Sequence, residues 1–318
     1  MKAQPVTDRP LFSVFVGDGK PLLLISSFSL LLSGVAILFL GVCGYFLPHD
    51  LAFLGISSDE LNSVADGRVA GFMIHNRISF GGALMSVGLF YAWLCLGPLQ
   101  AGKRWAWWVL AISGGQGFVN FLSFLGYGYL DSWHALATLC LLVTFLVGLA
   151  LSYPSLEPSN KLPHWELHWW SPTWDRLSIS QVVLLLTALG LIGGGLTINW
   201  IAMNQVFVPQ DLTYMDMCPN RLADFNPKLI PLIAHDRAGF GGAVCCNGLI
   251  LLGIVRHGKP SVSMWQVIYL GGLLGFGTAI WVHPAVGYNS LCHLVPPLVG
   301  LSSLLLGLFL LLPYTHRR

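Results

Sequence analysis

Charge is what this chain has least of: sixteen Lys and Arg and fourteen Asp and Glu in 318 residues, 9% in all. An ordinary soluble domain carries about a quarter charged residues, so a water-facing globular surface is excluded. No basic face is present to hold nucleic acid. Also missing are a phosphate-cradling glycine loop between a strand and a helix and a nucleophile elbow, which sets aside the nucleotide-binding and α/β-hydrolase classes. The seven cysteines show no metal-type pair spacing and mostly lie within apolar runs, where they read as small buried hydrophobes. Cys218 and Cys292 fall on the outer side, where disulfides can form, but the sequence does not place them together.

What the chain has in abundance is apolar sequence, 55% of residues, in blocks long enough to cross a bilayer as helices. Eight such runs lie near 23–46, 72–96, 105–126, 134–152, 180–203, 231–254, 264–283 and 290–313, so the expected fold is all-α and integral to the membrane. The first run is too long for a signal-peptide core and is expected to be a retained span. Eleven of the sixteen basic residues fall on one side of an eight-span arrangement; Arg68, Arg77, Arg221, Lys228 and Arg237 fall opposite. Positive charge in short loops stays cytoplasmic, which predicts both termini inside and a bacterial inner (plasma) membrane location.

The sequence also repeats itself. His75-Asn76-Arg77-Ile78-Ser79-Phe80-Gly81-Gly82 returns as His235-Asp236-Arg237-Ala238-Gly239-Phe240-Gly241-Gly242, Pro48-His49-Asp50-Leu51 as Pro209-Gln210-Asp211-Leu212, and Tyr129 with His134 as Tyr288 with His293. Offsets of 160, 161 and 159 keep register across a whole folding unit, longer than any solenoid repeat. The expected organisation is a cytoplasmic lead at 1–20, a four-helix unit at 21–153, an interfacial linker at 154–178 and a second four-helix unit at 179–318. Two parallel units of four spans would relate by a pseudo-twofold along the membrane normal and bring both copies of each motif to the extracytoplasmic face. Within the linker, Trp165, Trp169, Trp170 and Trp174 suit the headgroup layer, and His164 with His168 forms an i, i+4 pair read as a solvated face.

Four histidines obey the repeat. Because His75 and His134, like His235 and His293, lie at the outer ends of the second and fourth spans of a unit, each pair is expected to face across its own bundle. Facing imidazoles ligate haem iron or a transition metal. Arg77 and Arg237, two residues on, would hold haem propionates, and Asp50 and Asp211 would either orient a histidine or arginine from behind or cap the outer helix. Glycines at 81, 82, 114, 115, 117, 241, 242, 271, 272, 275 and 277 would wall a flat macrocycle or, on the reading favoured here, let helices pack closely. The alternative for the histidines is a polar network in which His75, Asn76, Arg77 and Asp50 satisfy one another. Since Asp236 replaces Asn76, the second copy, His235 with Asp236 and His293, is the expected seat of catalysis. Asn226-Pro227 predicts an N-cap and first helical position ahead of His235.

The Pro-x-Asp-Leu turn, the doubled His-[Asn/Asp]-Arg-x-x-Phe-Gly-Gly, Trp105, Trp107 and Trp108 in the third span, and Gly-Tyr-Gly-Tyr-Leu-Asp-Ser-Trp-His at 126–134 resemble a family of bacterial polytopic membrane proteins; the likeness implies a grouping. In architecture the chain is similar to haem A synthase, whose eight spans form two parallel four-helix units, although the Glu-x-x-His-Arg signature is not matched. That similarity implies haem on His75 and His134 and on His235 and His293.

Together these readings predict a membrane redox or cofactor-handling protein, an oxidoreductase of lipophilic substrates with haem b or a transition metal. A carrier binding lipid or anions through Arg77 and Arg237, or an accessory subunit of a larger membrane complex without its own cofactor, are the rival expectations. The lipid bilayer is the expected surround in each.

Overall fold

A computed structural model describes residues 15–157 and 175–315, and among these the chain is helical throughout with no strand. The linker histidines and tryptophans at 164–174 lie outside the described residues. Thirteen α-helices follow in order. They are α1 (Lys20–Val42), α2 (Pro48–Leu54), α3 (Ser58–Ser63), α4 (Arg68–Leu94), α5 (Arg104–Phe121), α6 (Phe124–Tyr127) and α7 (Ser132–Ser152). After the linker come α8 (Arg176–Asn204), α9 (Pro209–Met215), α10 (Pro219–Phe225), α11 (Leu229–His257), α12 (Val262–Val286) and α13 (Leu291–Leu311). Eight of these, α1, α4, α5, α7, α8, α11, α12 and α13, lie in segments long and apolar enough to span a membrane, as the apolar runs predict.

Two spans form the centre. Their most apolar 18-residue windows, in α4 and α11, are 67% buried, against 22–28% in the other six, whose leucines, phenylalanines and tryptophans face outward. An unburied apolar face is what a helix needs on its lipid side. The centre is built on glycine. A Cβ added to Gly34 or Gly81 would lie 2.7–2.9 Å from the other's carbonyl oxygen, at the crossing of α1 and α4. Gly195 and Gly241 meet the same way where α8 crosses α11, with 2.6–2.9 Å to each other's carbonyl. Lipid tails are as apolar as leucine, so close backbone approach supplies the packing that holds such helices together. The packing reading of the glycines is therefore the one the structure bears out at these positions.

The partners of the central helices cross between the halves of the chain. Beyond its neighbour α1, α4 packs along α12; beyond its neighbour α8, α11 packs along α5. Gly82 on α4 is closed off by Thr278 of α12, and Gly242 on α11 by Asn120 of α5, whose amide nitrogen donates to Ala238 O at 2.9 Å.

The short helices α2, α3, α6, α9 and α10 gather at one end of the bundle, over a second apolar cluster that includes Phe46, Leu54, Phe72, Met73, Phe207, Met215 and Leu232. The start of α11 differs from the expectation at Asn226-Pro227. The helix begins at Leu229 with Lys228 as cap, and Asn226 accepts from the Lys228 N–H at 3.0 Å in a turn just ahead of it. Asn226 also donates to Leu54 O at 2.8 Å, so its side chain ties this turn to the C-terminal carbonyl of α2 instead of capping α11.

Candidate functional site: two crossed histidine clusters

The frame of each cluster is a buried carboxylate at the third position of a proline-initiated helix. Asp50, in α2, accepts from the Tyr129 hydroxyl at 2.6 Å and from Arg77 Nη2 at 2.8 Å. Asp211, in α9, accepts from the Tyr288 hydroxyl at 2.6 Å and from Arg237 Nη1, and Oδ2 also takes the Val208 N–H at 2.8 Å. Asp211 thus anchors an arginine; it is not the N-cap, which is Val208, but from the third position of the helix it accepts that residue's N–H. Short O–H to carboxylate bonds are charge-assisted and strong. Burial first, and then the adjacent aspartate, push the Tyr129 and Tyr288 hydroxyls well above the usual phenol range, so both stay protonated donors.

Arg77 reaches further, placing Nε 2.9 Å from Asp236 Oδ2. Arg237 instead donates to Val206 O at 2.8 Å. Val206 sits at φ 63°, a left-handed conformation costly for a β-branched residue, and this contact helps hold it there.

The histidines do not follow their arginines. Residues i and i+2 on a helix lie about 200° apart, so His75 and Arg77 point to opposite sides of α4, as do His235 and Arg237 on α11. Each arginine binds the aspartate of its own half, Arg77 reaching across to Asp236 as well, and each histidine crosses to the other half. His235 stacks on His134 with ring centroids 5.7 Å apart and meets Tyr129 edge-on at 4.8 Å, and its Nδ1 lies 3.4 Å from the Tyr127 hydroxyl. His75 meets His283, with Nε2 atoms 3.2 Å apart, and lies 5.3 Å from the Tyr288 ring. The expected pairs, His75 with His134 and His235 with His293, are therefore replaced by crossed ones. His293 lies away from His235 and Asp236, against Tyr288 and 3.4 Å from Asp211. The expected catalytic trio is split between two places.

The first cluster contains His49, Asp50, Arg77, Tyr129, Asp131, His134, His235 and Asp236. One ligand atom each from His49, Asp131 and His134 lies within 4.8 Å of the others. His49 Nε2 and His134 Nδ1 are buried with no hydrogen-bond partner, while Asp131 Oδ2 caps α7 through the His134 N–H at 2.9 Å. His49 Nε2 and Asp50 Oδ1 are 3.6 Å apart, and the His49 and His134 rings meet edge-on at 4.8 Å. With side-chain exposures of 22% for His49 and 38% for His134, the cluster reaches the molecular surface.

The second cluster contains His75, Asp211, Arg237, His283, Tyr288 and His293. Four residues in or beside the two clusters are not among the site residues the sequence points to: His49, Tyr127 and Asp131 at the first and His283 at the second. His49 aligns with Gln210, and His283 aligns with Phe124 at the 159-residue offset, so neither obeys the repeat that served as the filter. Asp131 stood in the quoted 126–134 motif, and its place directly before a helix was the available signal for a cap near His134.

In comparisons with protein families, with curated proteins and with solved structures, nothing matches this chain.

Proposed function

We propose that this is a membrane-embedded redox or cofactor-handling protein whose first histidine cluster binds a divalent transition-metal ion through His49, His134 and Asp131, with His235 beside them. The observation that carries this reading is the grouping of His49, His134 and Asp131, one ligand atom of each within 4.8 Å of the others, with two buried imidazole nitrogens, His49 Nε2 and His134 Nδ1, that have no hydrogen-bond partner. Buried polar atoms ordinarily find partners, and a cation is the partner two lone pairs and a carboxylate share. Charge agrees: Asp50, Asp131 and Asp236 against Arg77 leave the cluster two negative charges to set against a dication. Three protein ligands in an open mouth leave a coordination position for a substrate or oxidant.

Haem between paired histidines fits less well. Two axial imidazoles aim their nitrogens at each other across an iron, about 4 Å apart at ~2.0 Å per bond. Here His134 and His235 are stacked at 23° between ring planes, so their nitrogens point sideways, and the His75 and His283 Nε2 atoms approach to 3.2 Å. The glycine walls are filled as well, Gly114 by Phe145 and Gly271 by Phe90. A single ion is the smaller group that these residues accommodate. The rival anion-carrier reading is weakened because Arg77 and Arg237 are buried and already paired to carboxylates.

The metal would lie on the extracytoplasmic side of a bacterial inner membrane, an orientation supported by the distribution of basic residues. There it would serve a lipophilic substrate or a larger membrane complex. The doubled frames of Asp50, Arg77, Tyr129 and Asp211, Arg237, Tyr288 support descent from two parallel units. Metal analysis of the purified chain tests the reading. About one divalent ion per chain is expected, and His49→Gln, which installs the residue found at position 210, should release it. Equal metal content in wild type and variant would refute the assignment.

A further inference from the structure

The two halves differ in how their third and fourth spans meet. Between α12 and α13 there are three close contacts: Trp265 donates to Leu308 O at 3.0 Å, Leu304 closes over Gly272, and Phe276 closes over Gly300. Between α5 and α7 the first two recur. Trp107 donates to Leu149 O at 2.9 Å, and Phe145 closes over Gly114. The third does not, because Leu141 stands where the repeat puts Gly300, and a leucine cannot be approached as a glycine can. Phe118, the counterpart of Phe276, turns instead to the Phe145 ring at 5.6 Å. The two spans accordingly pack against each other far less than α12 and α13 do.

Beyond Phe118 and Phe145 a seam is left between α5 and α7, and it runs to the first histidine cluster. From Phe145 back to His134 is eleven residues, about 16 Å of helix. The floor of the seam is α4, on which Arg77, Phe80, Leu84 and Tyr91 fall along one stripe. Tyr91 closes the far end, with its hydroxyl 2.8 Å from Ser113 Oγ of α5 and its ring stacked on Phe145 of α7. Phe80 and Leu84 are half-buried on a helix otherwise mostly buried. Arg77 brings the near end into the cluster itself.

An apolar seam in a bilayer suits a hydrocarbon chain, and the groups at its head decide which molecule the chain belongs to. Arg77 is held by Asp50 and Asp236, and Asp131 adds a third carboxylate, so an anionic phosphate meets like charge there. At the same end α6, which joins the two spans, brings the Tyr127 hydroxyl, 3.2 Å from Ser123 Oγ and 3.4 Å from His235 Nδ1. These groups donate and accept, as does an uncharged hydroxyl.

We propose that the seam between α5 and α7 is the lateral entrance through which a lipophilic substrate reaches the first cluster from the bilayer. Its apolar tail lies along Phe80 and Leu84, and its uncharged hydroxyl head meets Tyr127 and His235. The proposal rests on the reading of the first cluster as a site that serves a lipophilic substrate, and it names that substrate's class.

The test uses the full chain in phosphatidylcholine nanodiscs with two photoreactive probes, a hexadecanol bearing a diazirine and a phosphatidylglycerol with the same diazirine in its acyl chain. Labelled residues are located by mass spectrometry. In wild type the alcohol should label Phe80, Leu84 and the facing sides of α5 and α7 saturably, and unlabelled hexadecanol should displace it. Thr138→Trp places a large ring on the stripe of α7 that carries His134, Leu141 and Phe145, and should lose the labelling. Leu141→Gly installs the residue found at Gly300, lets Phe118 close the seam, and should lose it too. Leu139→Trp, on an exposed face of α7, should keep it. His49→Gln should lose metal but keep the labelling, so failure of the metal centre and failure of the entrance leave different records. The comparison of the two probes in wild type needs no variant to fold. Full labelling in Thr138→Trp, or equal labelling by the phosphatidylglycerol probe that unlabelled phosphatidylglycerol displaces, would overturn the proposal.

Discussion

Arg77 carries the heaviest electrostatic role of any single residue, because it bridges Asp50 from one half of the chain and Asp236 from the other. Its removal strands two buried carboxylates, and breaking such a pair costs about 3–5 kcal/mol. Arg77→Met should therefore lower the thermal midpoint in detergent markedly more than Arg237→Met, which strands Asp211 alone. Equal shifts would argue against the bridge.

The two raised phenols make a second prediction at this scale. Their folded-state pKa lies above the unfolded value of about 10, so their contribution to stability is fully present below pH ~10 and is lost as the pH rises beyond it. In an alkaline titration followed by tyrosinate absorbance, Tyr129 and Tyr288 should ionise last, with unfolding. Tyr129→Phe should remove one late-titrating group and leave the early ones in place.

At the scale of the element, the eight spans were legible from hydropathy alone, because lipid imposes a length and an apolar face that sequence displays directly. Which helices touch was not legible. Hydropathy carries no partner information, and the repeat suggested four-helix units closed on themselves, whereas α4 and α11 pack across the halves. The site was misread for a related reason. Closeness in sequence suggests one cluster for His75 and Arg77, but residues i and i+2 of a helix point to opposite sides. His49 and His283 were passed over because they break the repeat. The repeat marks the frame held in common, Asp50 with Arg77 and Tyr129 and its counterpart; the unmatched residues are where the clusters differ.

Glycine crossings give this scale its own test. Gly81→Leu and Gly241→Leu would each drive a side chain into a facing backbone that stands within 3 Å of the first added carbon. Overpacking of this kind typically costs about 1–3 kcal/mol. Gly190→Leu, with open space around its Cβ position, should be silent in the same thermal assay. Comparable losses at all three positions would contradict the crossings.

Across the whole molecule, the clusters share one end of the bundle, and each is completed by a histidine from the other half of the chain. His235 serves the first cluster and His75 the second. The candidate ligands His49, Asp131 and His134 all come from the first half, so it is the closing of each cluster, by His235 and by His75, that draws on both halves. The side of the membrane is open to direct measurement through Cys218, exposed just ahead of α10 at that end. With the other six cysteines replaced, a membrane-impermeant maleimide should label Cys218 on intact cells; protection until lysis would invert the topology.

The central claim is that His49, Asp131 and His134 form a metal centre. Elemental analysis of the full chain, purified without chelator, against His49→Gln and His134→Ala variants of unchanged thermal midpoint, tests it most directly. The account predicts close to one divalent transition-metal ion per wild-type chain and its loss from both variants. A wild-type chain without metal, or variants that retain it in full, would contradict the account.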